Sequence, residues 1–264
     1  QGAGLLETLD GSARDPQIAF STNGSGMAVW SQVSPSGFYD TYVRRYVAAT
    51  GWGTAEKIQV ADSTTNYLSP RVALDAAGNA IIVFSQNVSE SYPYLYTARY
   101  TAASASWGAA TALAPSVTEA QLSIDSSGNA MVMYASWNGS YGDISAKRYE
   151  ASSSTWQAAR KLSADTGGSG PRIAFDGSGN AVAIWRRRSS SSTVNQQVMG
   201  DRYVAGSGWH PQGLPTSIAT FAAGASRAHQ VAVDVAGNAM AVWFQGDGRQ
   251  QSSIWANRYT PGSG

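Results

Sequence analysis

The sequence predicts an all-β fold made of five repeated units, because one pattern of strands and turns returns five times. Each copy has an apolar segment, a turn centred on glycine, and a second apolar segment that ends in an aromatic residue. The copies read IAFSTNGSGMAVW, VALDAAGNAIIVF, LSIDSSGNAMVMY, IAFDGSGNAVAIW and VAVDVAGNAMAVW. Their turn glycines lie 54, 50, 51 and 58 residues apart, a period typical of stacked supersecondary units. These glycines are Gly24, Gly78, Gly128, Gly179 and Gly237.

Each repeat contains four short segments with strand character, which we name A to D in chain order. Strand A precedes the glycine turn, and strand B ends at the aromatic residue. Strand C ends in an Arg-Tyr pair, and strand D begins at a tryptophan in the first four repeats. We call the end with the A–B and C–D turns the lower end of a repeat, and the end with the B–C loop the upper end.

The A–B turn reads Asp-x-x-Gly-Asn in four repeats, while Ser21 replaces the aspartate in the first. An aspartate side chain accepts backbone N–H groups inside a tight turn, and glycine adopts the left-handed conformation that closes it. We therefore expect these aspartates to form turns and not to bind calcium or catalyse a reaction. We also expect the strand C arginines to bond either the turn aspartate of their own repeat or the carbonyl groups of that turn. These arginines are Arg99, Arg148, Arg202 and Arg258.

The fifth repeat stops at Gly264 without a strand D, whereas residues Gly2 to Leu9 resemble the strand D segment Gly108 to Leu113. We expect Gly4 to Leu9 to pair with strand C of the last repeat. Two chain ends that complete one unit are typical of a closed ring of four-stranded blades. The sequence thus predicts a single domain over residues 1–264, a five-bladed β-propeller closed by its N-terminal strand.

The hairpins Gly179–Trp185 (GNAVAIW) and Gly237–Trp243 (GNAMAVW) carry a GNAxAVW-type motif. With these hairpins the chain resembles, over its whole length, the bacterial β-propeller repeat proteins. In blade number and length it is also similar to the tachylectin-type propeller lectins, although it has none of their sequence motifs. The resemblance implies blade structure and says little about activity.

Composition limits the partners and the compartment. A net charge of +1 with 13% charged residues gives no field for steering nucleic acid or anionic membranes. The chain has no cysteine, and no apolar run is long enough to span a bilayer. Loops rich in Ser, Thr, Gly and Tyr favour a secreted or surface-displayed bacterial module, which we expect to be a monomer.

The upper-end loops vary between repeats, and binding usually resides in variable loops on a rigid scaffold. Planar polar side chains recur there at the start of strand A and two residues after the strand B aromatic, beside exposed aromatic residues. Such groups suit sugar hydroxyls and pyranose faces, but they could equally satisfy the loops and one another. The predicted ligand-binding residues are Arg71, Gln86, Tyr92, Tyr94, Gln121, Trp137, Tyr141, Arg172 and Arg187.

The residues predict a non-catalytic recognition module that binds cell-surface or extracellular glycans. A protein-interaction or structural module of a larger surface protein is an alternative, and a propeller like those of glycoside hydrolases is another. A glycosidase needs two carboxylates, yet only Glu90 and Glu119 among the glutamates fall in upper loops. His210 and His229 are isolated in sequence, so we expect no enzyme, no metal and no cofactor. The basic run Arg186 to Arg188 is either a solvated loop or a site for sulfate, phosphate or uronate.

Overall fold

The computed structural model describes residues 4–7, 9–60, 69–87, 93–137, 139, 142–163, 167–188, 196–210, 216–218, 227–246 and 252–262. In these residues the strands form five antiparallel sheets, numbered here in chain order. No helix in the described part of the chain has the length and hydropathy needed to cross a bilayer. The chain divides into two compact units, Gln1–Leu122 and Ser123–Gly264, and the boundary falls within the first strand of sheet 3.

The strands follow the predicted order. Sheet 1 consists of β1 (Ala13–Phe20), β2 (Gly26–Val33), β3 (Tyr39–Val47) and β4 (Gly51–Ile58). Sheet 2 consists of β5 (Arg71–Leu74), β6 (Ala80–Gln86), β7 (Tyr94–Thr101), β8 (Ser106–Trp107) and β9 (Thr111–Ala114). Sheet 3 consists of β10 (Val117–Ile124), β11 (Ala130–Trp137), β12 (Gly142–Glu150), β13 (Thr155–Trp156) and β14 (Arg160–Lys161).

The last two sheets lie in the second unit. Sheet 4 consists of β15 (Gly168–Phe175), β16 (Ala181–Arg188), β17 (Gln196–Val204), β18 (Gly208–Trp209) and β19 (Thr216–Ser217). Sheet 5 has three described strands, β20 (Arg227–Val233), β21 (Ala239–Gly246) and β22 (Ser252–Tyr259). Strand D is continuous in sheet 1 and runs as two short pieces in sheets 2, 3 and 4.

The N-terminal segment differs from its predicted position as a strand. Residues 4–7 lie in no strand. Instead, the Arg44 guanidinium donates to the Leu6 carbonyl at 2.8 Å, and the Gln32 amide donates to the Leu9 carbonyl at 2.9 Å. Both donors belong to sheet 1, so the predicted closure of the last repeat by this segment is not confirmed.

The second strand of each repeat carries the core. All seven residues of β6 are buried, and its first five, Ala80 to Phe84, form the unbroken apolar run expected of a strand covered on both faces. In the first unit Met27, Ile82 and Phe84 belong to one apolar cluster. In the second unit Met133 and Trp185 belong to another. The strand B aromatics therefore pack in the interior, as expected.

The turn aspartates take the structural role predicted for them. In sheet 4, Asp176 Oδ1 accepts the backbone N–H groups of Ser178 and Asn180 at 2.8 and 2.9 Å, and Oδ2 accepts the Asn180 side-chain amide at 2.7 Å. Asn180 Oδ1 then accepts the N–H of Ala205, in the turn after β17, at 3.0 Å. We call this chain of bonds the Asp–Asn clamp, and it joins the two lower turns of one sheet. Sheets 2 and 3 contain the same clamp, through Asp75–Asn79 and Asp125–Asn129.

The strand C arginines differ from their predicted contacts. The Arg148 guanidinium lies over the Tyr203 ring at 5.0 Å, and Arg202 lies over Tyr259 at 5.3 Å, so each contacts the following sheet. In the first unit, Arg45 lies over Tyr100 in the same way. These guanidinium groups extend toward the next sheet, whereas each turn aspartate lies at the lower end of its own sheet. Cation–π contacts of this kind contribute about 0.5–2 kcal/mol each.

Replacing the aspartate of a buried clamp tests its contribution to stability. We expect Asp176→Ala to lower the free energy of unfolding by about 2–3 kcal/mol, because buried amide donors lose their acceptors. Asp234 accepts the equivalent bonds in sheet 5 but is exposed to solvent. Asp234→Ala should therefore cost less, since water replaces the carboxylate. Urea unfolding of both variants measures the difference, and equal losses would contradict the role of burial.

Candidate functional site

The candidate site is built on irregular backbone at the upper ends of sheets 4 and 5, within the second unit. The pairing of β15 with β16 shifts register between Ser169 and Arg172, and β20 with β21 shifts between Arg227 and Gln230. Such bulges re-aim side chains and are common beside functional sites. Within the first bulge Gly170 has a φ of 64°, in the left-handed region that favours glycine.

His229 lies in the bulge of β20 and contacts the bulge of β15. Its Nε2 donates to the Gly170 carbonyl. A Cβ atom on Gly170 would lie 2.6 Å from His229 Cε1, so only glycine allows this approach. The imidazole is 3% exposed, and its Nδ1 has no hydrogen-bond partner among the described residues. Burial, followed by the nearby charges of Arg172 and Arg186, lowers the pKa of His229 to about 4, so the ring is neutral at neutral pH.

Three partly buried arginines surround this end of β15 and β16, and we call Arg172, Arg186 and Arg187 the arginine cluster. Arg186 pairs with Ser169 across the two strands and donates to its hydroxyl at 2.7 and 3.0 Å. Arg187 donates to the Gln197 side chain at 2.5 Å. Arg172 donates to the Pro171 carbonyl at 2.7 Å. Guanidinium groups fixed in this way are suited to carboxylate and sulfate groups.

Of the predicted ligand-binding residues, Arg172 and Arg187 both lie at this end of β15 and β16, and Arg172 is the one whose charge acts on His229. Arg71, Gln86, Tyr94 and Gln121 belong to the first unit, and Trp137 belongs to sheet 3. Tyr94 and Trp137 are exposed, at 39% and 38%. Arg71 is partly buried and donates to the Pro70 carbonyl at 2.9 Å, and Gln121 is also partly buried. Tyr92 and Tyr141 lie outside the described residues.

The glutamines after strand B have a structural role, which was the alternative left open by the sequence. Gln86 is buried, and its Oε1 accepts the N–H of Val60 at 3.2 Å. Gln32 and Gln245 are also buried, and each accepts the indole N–H of the tryptophan two residues earlier, at 2.9 Å. These side chains hold the upper ends of the sheets together and have little surface for a ligand.

The sequence reasoning set aside one residue of chemical interest, His229, as isolated in sequence, and it did not single out a second one, Asp201. His229 occupies a position that holds proline or alanine in the other repeats, namely Pro16, Pro70, Ala120 and Pro171. Asp201 stands immediately before the Arg-Tyr pair of strand C, where the other repeats have Arg44, Ala98, Lys147 and Asn257. Burial raises the pKa of the Asp201 carboxyl, which lines a cavity of about 530 Å³ between sheets 4 and 5. Aligning the repeats residue by residue would have found both.

The chain matches no protein-family model and no curated protein sequence, but it is similar to several solved structures. One is a protein of unknown function from Dyadobacter fermentans, with a TM-score of 0.61, 12% identity, and coverage of 94% of this chain and 79% of that one. Another is an ulvan lyase bound to -[GlcA(1-4)Rha3S]-, with a TM-score of 0.58, 11% identity, and coverage of 97% and 71%. A third is the β-propeller domain of a protease from Pyrococcus furiosus, with a TM-score of 0.55, 8% identity, and coverage of 94% and 69%.

These likenesses show that the five antiparallel sheets have the fold of β-propeller proteins. They also contradict the prediction of a non-catalytic glycan-binding module, since polysaccharide lyases and a sialidase are among the neighbours. The prediction that the chain is not an enzyme rested on the need of glycosidases for two carboxylates. That argument did not consider elimination chemistry, which uses a base and cations. It also set His229 aside and did not single out Asp201.

The buried neutral His229 makes stability depend on pH. An unfolded histidine takes up a proton near pH 6.5, whereas the folded state takes it up only near pH 4. Between these values the unfolded state binds more protons, so this group lowers stability as the pH falls, by up to about 1.4 kcal/mol per pH unit. We expect the stability difference between the parent and His229→Ala to be larger at pH 7 than at pH 4.5 in urea unfolding. A difference that stays constant with pH would show that His229 titrates normally.

Proposed function

We propose that the chain cleaves an anionic polysaccharide by β-elimination beside a uronate, at the upper ends of sheets 4 and 5. The observation that carries this proposal is the neutral, buried His229, with an unpartnered Nδ1, beside the arginine cluster. We further propose that the five sheets are the blades of a propeller. The closure of its ring by the N-terminal segment stays a prediction.

The arrangement supplies the two requirements of the elimination. A cation paired with the uronate carboxylate makes the proton on the adjacent ring carbon, C5, acidic. A neutral base then removes that proton, and the electron pair of the C5–H bond forms the C4–C5 double bond. The bond between C4 and the glycosidic oxygen breaks, and this oxygen takes a proton from water. Arg172 and Arg186 are the cations near His229, and His229 Nδ1 is the base.

Substrate binding tunes the base in this proposal. The charges of Arg172 and Arg186 lower the pKa of His229 in the unliganded site. A uronate carboxylate between them offsets those charges and raises the pKa toward the ordinary value of a histidine. Because Nδ1 is shielded from solvent, proton transfer requires the bulge of β20 to open when the sugar binds.

The comparisons support the substrate class. Polysaccharide lyases share this fold, and one of them holds a glucuronate-containing, sulfated oligosaccharide. The charges that act on His229 are those of Arg172 and Arg186. These arginines favour an acidic polymer over a neutral one.

Glycoside hydrolysis is the second candidate, and Asp201 favours it. The Asp201 carboxyl, whose pKa is raised by burial, lies in a cavity together with His210 and Tyr259. A carboxyl group with a raised pKa is suited to protonate a leaving oxygen. The two candidates give different products from the same polymer.

Substitutions at the site test the proposed elimination. On glucuronate-containing polysaccharides we expect unsaturated products, detected by their ultraviolet absorbance. Arg186→Gln and His229→Ala should each lower kcat/KM about 100-fold, because the first removes charge stabilisation and the second removes the base. Arg14→Gln, at an exposed arginine of sheet 1, is the matched control and should retain activity. New reducing ends without unsaturation would favour hydrolysis, and no cleavage of any acidic polysaccharide would refute both.

A further inference from the structure

A second cleft lies at the lower ends of sheets 3 and 4, and all of its lining residues belong to the second unit. Its volume is about 890 Å³, and its lining is mainly polar. The side chains that define it come from β12, the segment between β13 and β14, and strands β14, β17 and β18. They are Arg148, Glu150, Gln157, Arg160, Tyr203 and Trp209.

Three of these residues depart from the repeat pattern. The position of Glu150 holds only uncharged residues in the other repeats, Val47, Thr101, Val204 and Thr260. The position of Gln157 holds Gly53, Gly108 and His210, and that of Arg160 holds Glu56 and Thr111. The lower ends are otherwise nearly constant because they carry the turns. Glu150 is the one charged residue at its position, and it lies in one cleft with Gln157 and Arg160, whose positions vary between repeats. Such variation at an otherwise constant end points to a function other than folding.

The polar side chains of the cleft are held in place before any ligand arrives. Glu150 Oε1 accepts the Arg148 Nε–H at 2.7 Å and the Gln157 side-chain amide at 2.9 Å. The Arg148 side chain is only 9% exposed and lies over the Tyr203 ring. Its Nη1 has no hydrogen-bond partner among the described residues. Fixed donors and acceptors reduce the entropy lost when a ligand binds.

The charges and rings of the cleft indicate the kind of ligand. Among the side chains that line the cleft, Arg148 and Glu150 cancel in charge and exposed Arg160 adds one positive charge, which also acts on the Asp201 carboxyl outside the lining. Trp209 packs edge-on against Tyr203 at 5.7 Å and forms an aromatic wall. Planar polar side chains beside an aromatic ring suit the hydroxyls and the ring faces of a sugar. The surplus positive charge favours a sugar that bears a carboxylate.

We propose that this cleft is a second, non-catalytic binding site for a uronate-bearing oligosaccharide. This second site rests on the proposed function only in the class of polymer that it binds, an acidic polysaccharide. The sequence analysis expected ligands at the upper ends of the repeats, and this site lies at the opposite end. Two sites on opposite ends of the second unit would hold one long polymer, or two chains of it, more tightly than either site alone.

Binding of a glucuronate-containing tetrasaccharide tests the proposal. We expect the indole N–H signal of Trp209, assigned with Trp209→Phe, to shift on titration, and a neutral tetrasaccharide to have a much smaller effect. Gln157→Gly, the residue found at this position in two other repeats, and Arg160→Gln should each weaken the Kd at this site about five- to tenfold. Glu56→Gln, at the position in sheet 1 equivalent to that of Arg160, is the matched control and should leave the Kd unchanged.

The proposal is overturned if the Trp209 signal does not move at saturating acidic tetrasaccharide, or if Arg160→Gln binds as tightly as the parent. Its failure is distinguishable from that of the proposed function. Cleavage with an unmoved Trp209 signal would refute the second site alone. A shifted Trp209 signal without cleavage would refute the lyase activity and leave the second site in place.

Discussion

The Asp–Asn clamp is the constraint on which the rest of sheets 2, 3 and 4 depends. One aspartate satisfies the backbone of the A–B turn with one oxygen and orients the following asparagine with the other. The asparagine then fixes the C–D turn through its own oxygen. The clamp thereby fixes the lower ends of three strands relative to one another, through side chains that belong to the turn itself. Neighbouring turns also approach closely, since a Cβ on Gly237 would lie 3.0 Å from Asp176 Oδ2.

Because the clamp fixes the lower ends, irregular backbone can accumulate at the upper ends without loss of register in the rest of the sheet. The bulges of β15 and β20 occupy these upper ends, and the contact of His229 with Gly170 depends on both of them. In a regular strand the histidine side chain would point to one face of its own sheet. In the bulge it reaches the backbone of the preceding sheet, where burial and the arginines keep it neutral.

The repeat pattern was sufficient to predict the local structure. It gave the five repeats, the order of strands and the role of the turn aspartates, because these features depend on residues close together in sequence. It did not predict that Gln86 would be buried or that Arg148 would contact the next sheet, because both depend on how sheets pack. The break of strand D into two pieces in sheets 2 to 4 has the same origin. His229 was named but set aside because it is isolated in sequence, and Asp201 and Glu150 were not singled out. The patterns were read for what the repeats share, whereas these residues belong to single repeats.

The hydrogen bonds of the clamp do not depend on which side chains stand at the tip of the turn. The two residues between the aspartate and the glycine contribute only backbone to the bonds of the turn, and in sheet 5 Val235 at this place is 85% exposed. The chain contains no cysteine. A thiol introduced at Val235 would thus be unique and accessible, and it would sit on a turn whose geometry does not depend on the replaced side chain. A fluorophore or spin label could be attached at that tip while the upper ends remain unmodified.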